Sequence, residues 1–171
     1  DRADSAVAES VKQQFLVNVK GGEAGSVRQA VEAMGATVSS YIPHNTLLVL
    51  CTAAESRQLK SVSGVLSVSS YHMSFKVEEA LLQPSFATEA VAGQNEDVHV
   101  HVAFPDGYFD SAVDAASVLS TWSSAHSNLV VHDTTQSIAR VSFSANSRSS
   151  ALSFLASQPS VHWIEAAPKY Q

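Results

Sequence analysis

The stretch Gly35–Cys51, GATVSSYIPHNTLLVLC, constrains the chain more than any other. Gly35 stands where a helix C-terminus takes a residue of positive φ. Val38 and Ile42 then alternate with Ser39 and Tyr41 at strand period. Pro43-His44-Asn45 interrupts the alternation with turn chemistry. Thr46–Cys51 is an apolar run, the pattern of a strand buried on both faces. Whatever the fold, it must hold an antiparallel hairpin directly after a helix.

The flanking sequence completes a unit. Phe15-Leu16-Val17-Asn18-Val19 reads as a strand with Phe15, Val17 and Val19 on one face. Val27, Ala30, Val31 and Met34 fall at i, i+3, i+4 and i+7, a single apolar helix stripe. Ser26 with Gln29, and later Thr52 with Glu55, match capping-box spacing. The second pair opens a short helix through Leu59 and Val62, closed by Gly64, and Val65–Tyr71 is a last strand. The order is β-α-β-β-α-β.

The same order returns downstream. Val98, Val100 and Val102 alternate with His99 and His101, and Pro105-Asp106-Gly107 is a turn. Asp110 is placed to cap a helix with Ala112, Ala115, Leu119 and Trp122 on one face. Leu129–Val131 and Ser137–Phe143 read as strands, Ser147 opens a helix carrying Ala151, Leu152 and Leu155, and Val161–Ile164 is the final strand. Leu59…Gly64-Val65-Leu66 is shaped like Leu155…Ser160-Val161-His162, so the chain reads as an internal duplication. The expected organisation is an arm over 1–13, a first module over 14–78, a linker over 79–96, and a second module with a C-terminal tail over 97–171.

A β-α-β-β-α-β order folds as a ferredoxin-like unit. The expected fold class is therefore α+β: two tandem ferredoxin-like modules, each an antiparallel sheet in spatial order 4-1-3-2 with both helices on one face. The other face is expected to be bare. In the first module Leu16, Leu47 and Val49 are assigned to it, leaving an apolar patch that needs a cover.

Composition narrows the function classes. The 171 residues are 45% hydrophobic and 15% charged, as in a folded domain. The net charge of −6, with scattered Lys and Arg, argues against nucleic-acid binding through a basic face. Seven glycines fall below the usual ~7% and give no phosphate-binding loop. No apolar run approaches the ~20 residues of a membrane span. The charged opening Asp1-Arg2-Ala3-Asp4 is not a signal peptide, although a mature chain released from one would begin this way. Cys51 is the only cysteine, which excludes a disulfide framework and a zinc quartet, and its apolar strand makes it a core residue.

Several phrases carry a resemblance. They are Phe15–Val19, Gly35-Ala36-Thr37-Val38, Tyr41-Ile42-Pro43-His44-Asn45, and the run from Leu59 through Gly64-Val65-Leu66 to Tyr71, with Lys76 soon after. Together they resemble the propeptide of subtilisin-like serine proteases, the inhibitor-type prodomain. The closing Gln158-Pro159-Ser160-Val161-His162-Trp163-Ile164-Glu165 is similar to the end of such pro-regions in the larger eukaryotic enzymes. The likeness covers residues 14–78 well and 150–167 loosely. It implies an intramolecular chaperone and transient inhibitor of a catalytic domain, in the same precursor or in trans, within the secretory pathway or outside the cell. It implies a protease-facing sheet made of Leu16, Asn18, Leu47, Val49, Leu66 and Val68. It also implies a tail, Pro168-Lys169-Tyr170-Gln171, lying in the active-site cleft, with Gln171 as a processing point. A single-module prodomain would end near Lys76, whereas this chain continues.

The chain carries no subtilisin triad neighbourhood. His132-Asp133-Thr134-Thr135 lacks the glycine, and no serine sits in a Gly-x-Ser-x-Gly elbow. It is read as non-catalytic, with no cofactor and no metal. His99, His101 and His162 are expected to converge on the open face of the second sheet, beside Ile164, as a partner-facing patch that titrates near pH ~6.5. Trp122 and Trp163 are read as core residues. Two other classes compete: a tandem regulatory module binding a small molecule such as an amino acid, for which Gly21-Gly22 and Asp106-Gly107 are faint signals, and a structural protein assembling through its open sheet faces.

Overall fold

The computed structural model describes residues 9–83 and 97–168. Most of the N-terminal arm, most of the linker and the tail residues Lys169, Tyr170 and Gln171 lie outside the described residues. The chain divides into two compact units, Asp1–Tyr71 and His72–Gln171. Each holds one four-stranded antiparallel sheet, and the chain is two tandem ferredoxin-like modules.

In the first unit the order is β1 (Gln13–Val19), α1 (Ala24–Ala33), β2 (Thr37–Ile42), β3 (Thr46–Cys51), α2 (Ala53–Leu59) and β4 (Val65–Ser70). The strands lie in the order β2-β3-β1-β4, as the element sequence predicts. β1 pairs with β3 so that Phe15 faces Val49 and Val17 faces Leu47. These residues, with Val19 and Cys51, pack beneath Val27 and Val31 of α1 and Leu59 of α2. Burying such side chains contributes roughly 1.5–3 kcal/mol each.

The pairing corrects the expected face assignment. Leu47 and Val49 belong to the helix-side core, and Val68 packs against the same cluster. Leu16 and Asn18 do lie on the opposite face, where their partners are Leu48 and Thr46. β3 is apolar at both parities, so its sequence offers no alternation to set the register, and the expected faces are off by one residue. That far face is not bare either, because Leu48 and Leu50 are fully buried.

The hairpin turn is held by its own side chains and by β1. His44 and Asn45 take the left-handed conformation, at φ 68° and 56°. The Tyr41 hydroxyl donates to Asn45 Oδ1 (3.3 Å). Val19 N–H donates to the Asn45 carbonyl at 2.8 Å, and Asn18 Nδ2 donates to Thr46 Oγ1 at 3.3 Å.

Helix starts divide. Thr52 and Glu55 form the reciprocal capping box that the sequence predicts. Ser26 does not cap α1. That helix begins at Ala24 with Glu23 as N-cap, and the Ser26 hydroxyl donates to the Glu23 carbonyl.

The second unit opens with a 3-10 turn (Met73–Phe75) and the single turn α3 (Glu79–Leu82). It continues with β5 (Asp97–Ala103), α4 (Ala112–Ala125), β6 (Val130–Thr134), β7 (Ile138–Ser144), α5 (Arg148–Ser157) and β8 (Trp163–Ala166). Its sheet order, β6-β7-β5-β8, repeats that of the first. Val98, Val100, Val102, Val141, Phe143 and Ile164 meet the faces of α4 and α5. Trp122 anchors this core edge-on to Phe104 and Phe154. The N-cap of α4 is Ser111, whose hydroxyl accepts from Asp114 N–H, rather than Asp110.

The boundary between modules also differs from the sequence reading. The sequence places residues 72–78 in the first module, but Val77 pairs with Ile164 of β8 and Leu81 is fully buried in the second core.

Gly64 gives a sharp test of the first unit. It has φ +89°, and a Cβ there would run into the Glu23 carboxylate and Val27. Gly22 has φ +84° with open space around it. Gly22→Ala is expected to cost about 1 kcal/mol from backbone strain alone, and Gly64→Ala about 2–4 kcal/mol because packing must also shift. Denaturant unfolding of both variants measures the difference.

Candidate functional site

The implied protease-facing set is not one surface. Leu16 and Asn18 are half-buried on the far face of the first sheet. Leu66 sits at the bulge where β4 slips against β1, and its side chain is 66% exposed. Ser67 and Ser69 pair with Asn18 and Leu16 and are exposed. The accessible part of this face is therefore its β1–β4 side. Leu47, Val49 and Val68 face the helices instead. Of the tail, Pro168 is exposed and the remaining three residues lie outside the described ones.

The histidine cluster is also rearranged. His99 and His101 lie on the far face of the second sheet, opposite the core valines of β5. His162 does not join them. It shares the parity of Ile164, which is fully buried in the helix-side core. The residue opposite His101 on β8 is Glu165, with its carboxylate 4.0 Å from His101 Nδ1. The histidine that does approach His99 is His132, with ring centroids 5.6 Å apart. A bulge in β6 turns His132 onto this face, where its Nε2 lies 2.7 Å from Ser142 Oγ. Sequence spacing gave no sign of it, because a bulge breaks the period that assigns faces.

Trp163 likewise leaves the core. It is half-buried on the far face, where its indole N–H donates to Glu165 at 3.3 Å. The Arg140–Asp133 pair (2.6 Å) completes a polar surface. Among the described residues, no group of three or more His, Cys, Asp or Glu side chains is arranged to hold a metal ion.

The residues with displaced protonation equilibria lie elsewhere. Lys76 is only 5% exposed, and its Nζ donates to the Gln158 carbonyl at 3.0 Å. Burial pulls its pKa down to about 8. His162 is lowered as well, first by burial and then by the Lys76 charge, with Asp106 acting in the opposite sense. Burial pushes the Cys51 thiol up to about 12.

An open groove of about 340 Å³ runs between the Met73–Leu82 segment and α5, lined by Met73, Val77, Leu82, Leu152 and Ala156. Arg148 stands at its rim and donates to the Gln83 carbonyl at 3.1 Å. No helix among the described residues is long and apolar enough to cross a membrane.

With this geometry in place, the class is that of two tandem ferredoxin-like modules, with a far face of mixed apolar and small polar residues in the first and a polar one in the second. Comparison with protein-family models, curated proteins and solved structures gives no match to the chain.

Lys76 makes a measurable contribution to pH dependence. Its folded pKa lies below its unfolded one, so between about pH 8 and the ordinary lysine value of ~10.4 the unfolded state binds more protons. Stability therefore rises with pH through that window, and its contribution is lost as pH falls through about 8. Cys51 acts in the opposite direction above the ordinary thiol range. Lys76→Met is expected to flatten the rise between about pH 8 and 9, as read from urea midpoints.

Proposed function

We propose that this chain is the N-terminal pro-region of a subtilisin-like serine protease, acting as intramolecular chaperone and transient inhibitor. The observation that carries the reading is the module itself. Two βαββαβ units each place both helices on one side of an antiparallel sheet. In the first, the residues that resemble such prodomains fall on structurally defined positions. Tyr41 and Asn45 tie the hairpin turn, and Gly64 opens the last strand with a positive φ.

In this reading the docking surface is smaller than the sequence suggests. It runs over Leu16, Asn18, Leu66, Ser67 and Ser69, on the β1–β4 side of the first sheet. An exposed leucine amid small polar residues suits a partner that contributes apolar helix surface, since Leu66 would lose most of its water contact on docking. The chain from Pro168 onward would extend into the catalytic cleft, and the precursor would pass through the secretory pathway.

The purified chain is expected to inhibit at least one member of a panel of subtilisin-like proteases. Leu66→Glu should weaken that inhibition about tenfold or more while leaving the unfolding midpoint nearly unchanged. Failure to inhibit any member, together with saturable binding of an amino acid by calorimetry, would replace this reading with the regulatory one.

A further inference from the structure

The two modules end their sheets alike. From the last helix into the last strand, Leu59, Val62, Val65 and Val68 recur three residues apart, as do Leu155, Gln158, Val161 and Ile164. Both series make the same turn bonds. Val62 N–H donates to the Leu59 carbonyl and Val65 N–H to the Val62 carbonyl; Gln158 N–H donates to the Leu155 carbonyl and Val161 N–H to the Gln158 carbonyl, all at 3.1 Å. Val68 then stands opposite Val17, and Ile164 opposite Val102, each on a central strand. Val68 and Ile164 are structural counterparts.

Their outer edges differ. The segment Lys76–Glu78 forms a short extra edge on the second sheet, parallel to β8 at Ile164. Ile164 N–H donates to the Lys76 carbonyl at 2.6 Å, and Glu78 N–H donates to the Ile164 carbonyl at 2.8 Å. Ala166 N–H donates to the Glu78 carboxylate at 2.8 Å, and Lys76 Nζ donates to the Gln158 carbonyl at 3.0 Å. β4 is the edge strand of the first sheet. Tyr71 N–H donates inward to the Gln14 carbonyl, so by strand alternation Val68 and Ser70 point their amides outward. Neither amide is bonded to another segment among the described residues. Burial records the same difference: Val161 and Ile164 are fully buried, whereas Val65 and Val68 are only partly so. β4 (VLSVSS) also lacks the charge and proline that ordinarily blunt an open edge, and its bulge lies at Leu66, before the regular stretch.

We propose that the outer edge of β4 is a strand-addition site for an extended partner segment of the type Lys–apolar–Glu, laid parallel to β4. The lysine carbonyl of that segment accepts from Val68 N–H, and the glutamate amide donates to the Val68 carbonyl. The carboxylate takes Ser70 N–H, as Glu78 takes Ala166 N–H. The ammonium reaches the Val62 carbonyl, the counterpart of that of Gln158. The apolar residue covers Val65 and Val68, as Val77 packs on the second core. A second copy does not supply this segment, because the Lys76–Glu78 of each copy is engaged at its own β8. The inference does not depend on the proposed protease partner.

The test adds a blocked peptide of residues 74–79, Ser-Phe-Lys-Val-Glu-Glu, to the whole chain. Saturable binding is expected by calorimetry, and hydrogen exchange at the Val68 and Ser70 amides should slow about tenfold or more at saturation while the β1–β3 ladder is unchanged. Methylating the peptide nitrogen of the residue in the place of Glu78 should weaken binding about tenfold, with no change to the protein. Ser70→Pro removes an outward amide that an edge strand can spare, and should weaken binding likewise. Absence of binding, or binding that leaves Val68 and Ser70 exchange unchanged, would overturn the proposal. So would undiminished binding of the methylated peptide. Protection of these amides that rises with protein concentration alone would overturn it too, in favour of two copies pairing β4 to β4.

Discussion

Antiparallel pairing of the two interior strands is the interaction on which each module depends. β1 lies between β3 and β4, and β5 between β7 and β8, so each central strand is hydrogen-bonded on both edges. Only an unbroken apolar stripe on such a strand lets two helices share one sheet face. Phe15, Val17 and Val19 provide it in the first module, and Val98, Val100 and Val102 in the second. Glycines of positive φ, Gly35 and Gly64, return the chain from helix to sheet. These joints can be short because the layers they connect are already fixed.

The two modules share their core faces and differ on their far faces. In the first, Leu16 stands opposite Leu48, and Gln14 opposite Leu50. In the second, the same side carries His99, His101 and His132, with Asp133, Arg140 and Glu165. The helix-side pattern is constrained by packing in both modules, while the far side answers to what each sheet meets. Surface pairs such as Arg140–Asp133 contribute little to stability at their exposure, so the polar side is free to vary.

What was legible in the sequence follows the same division. Strands with clean alternation, such as β5, declare their core face, as do the apolar helix stripes apart from Ala112, which is exposed at the start of α4. The sequence puts β3 one residue out because Leu47, Leu48, Val49 and Leu50 are equally apolar and nothing in them marks a side. His162 and Trp163 were assigned to the wrong faces because the strand begins only at Trp163 and its parity cannot be read from four residues. The Lys76–Glu78 edge is invisible in the sequence for a different reason. Its partner, Ile164, lies far along the chain, and a single parallel bridge leaves no periodic trace. The fold is more legible than the site because helix stripes and core strands repeat at a fixed period, whereas a face assignment fails wherever both parities are apolar or a bulge intervenes.

Cys51 gives the first module a built-in clock. It is the chain's only cysteine, completely buried, and its thiol stays protonated far above neutrality. Alkylating reagents attack the thiolate, so folded chains react only when the end of β3 is uncovered. The rate at which a thiol reagent labels the protein therefore counts openings of this one module. A single covalent mark separates its breathing from that of the second module, which has no thiol to report.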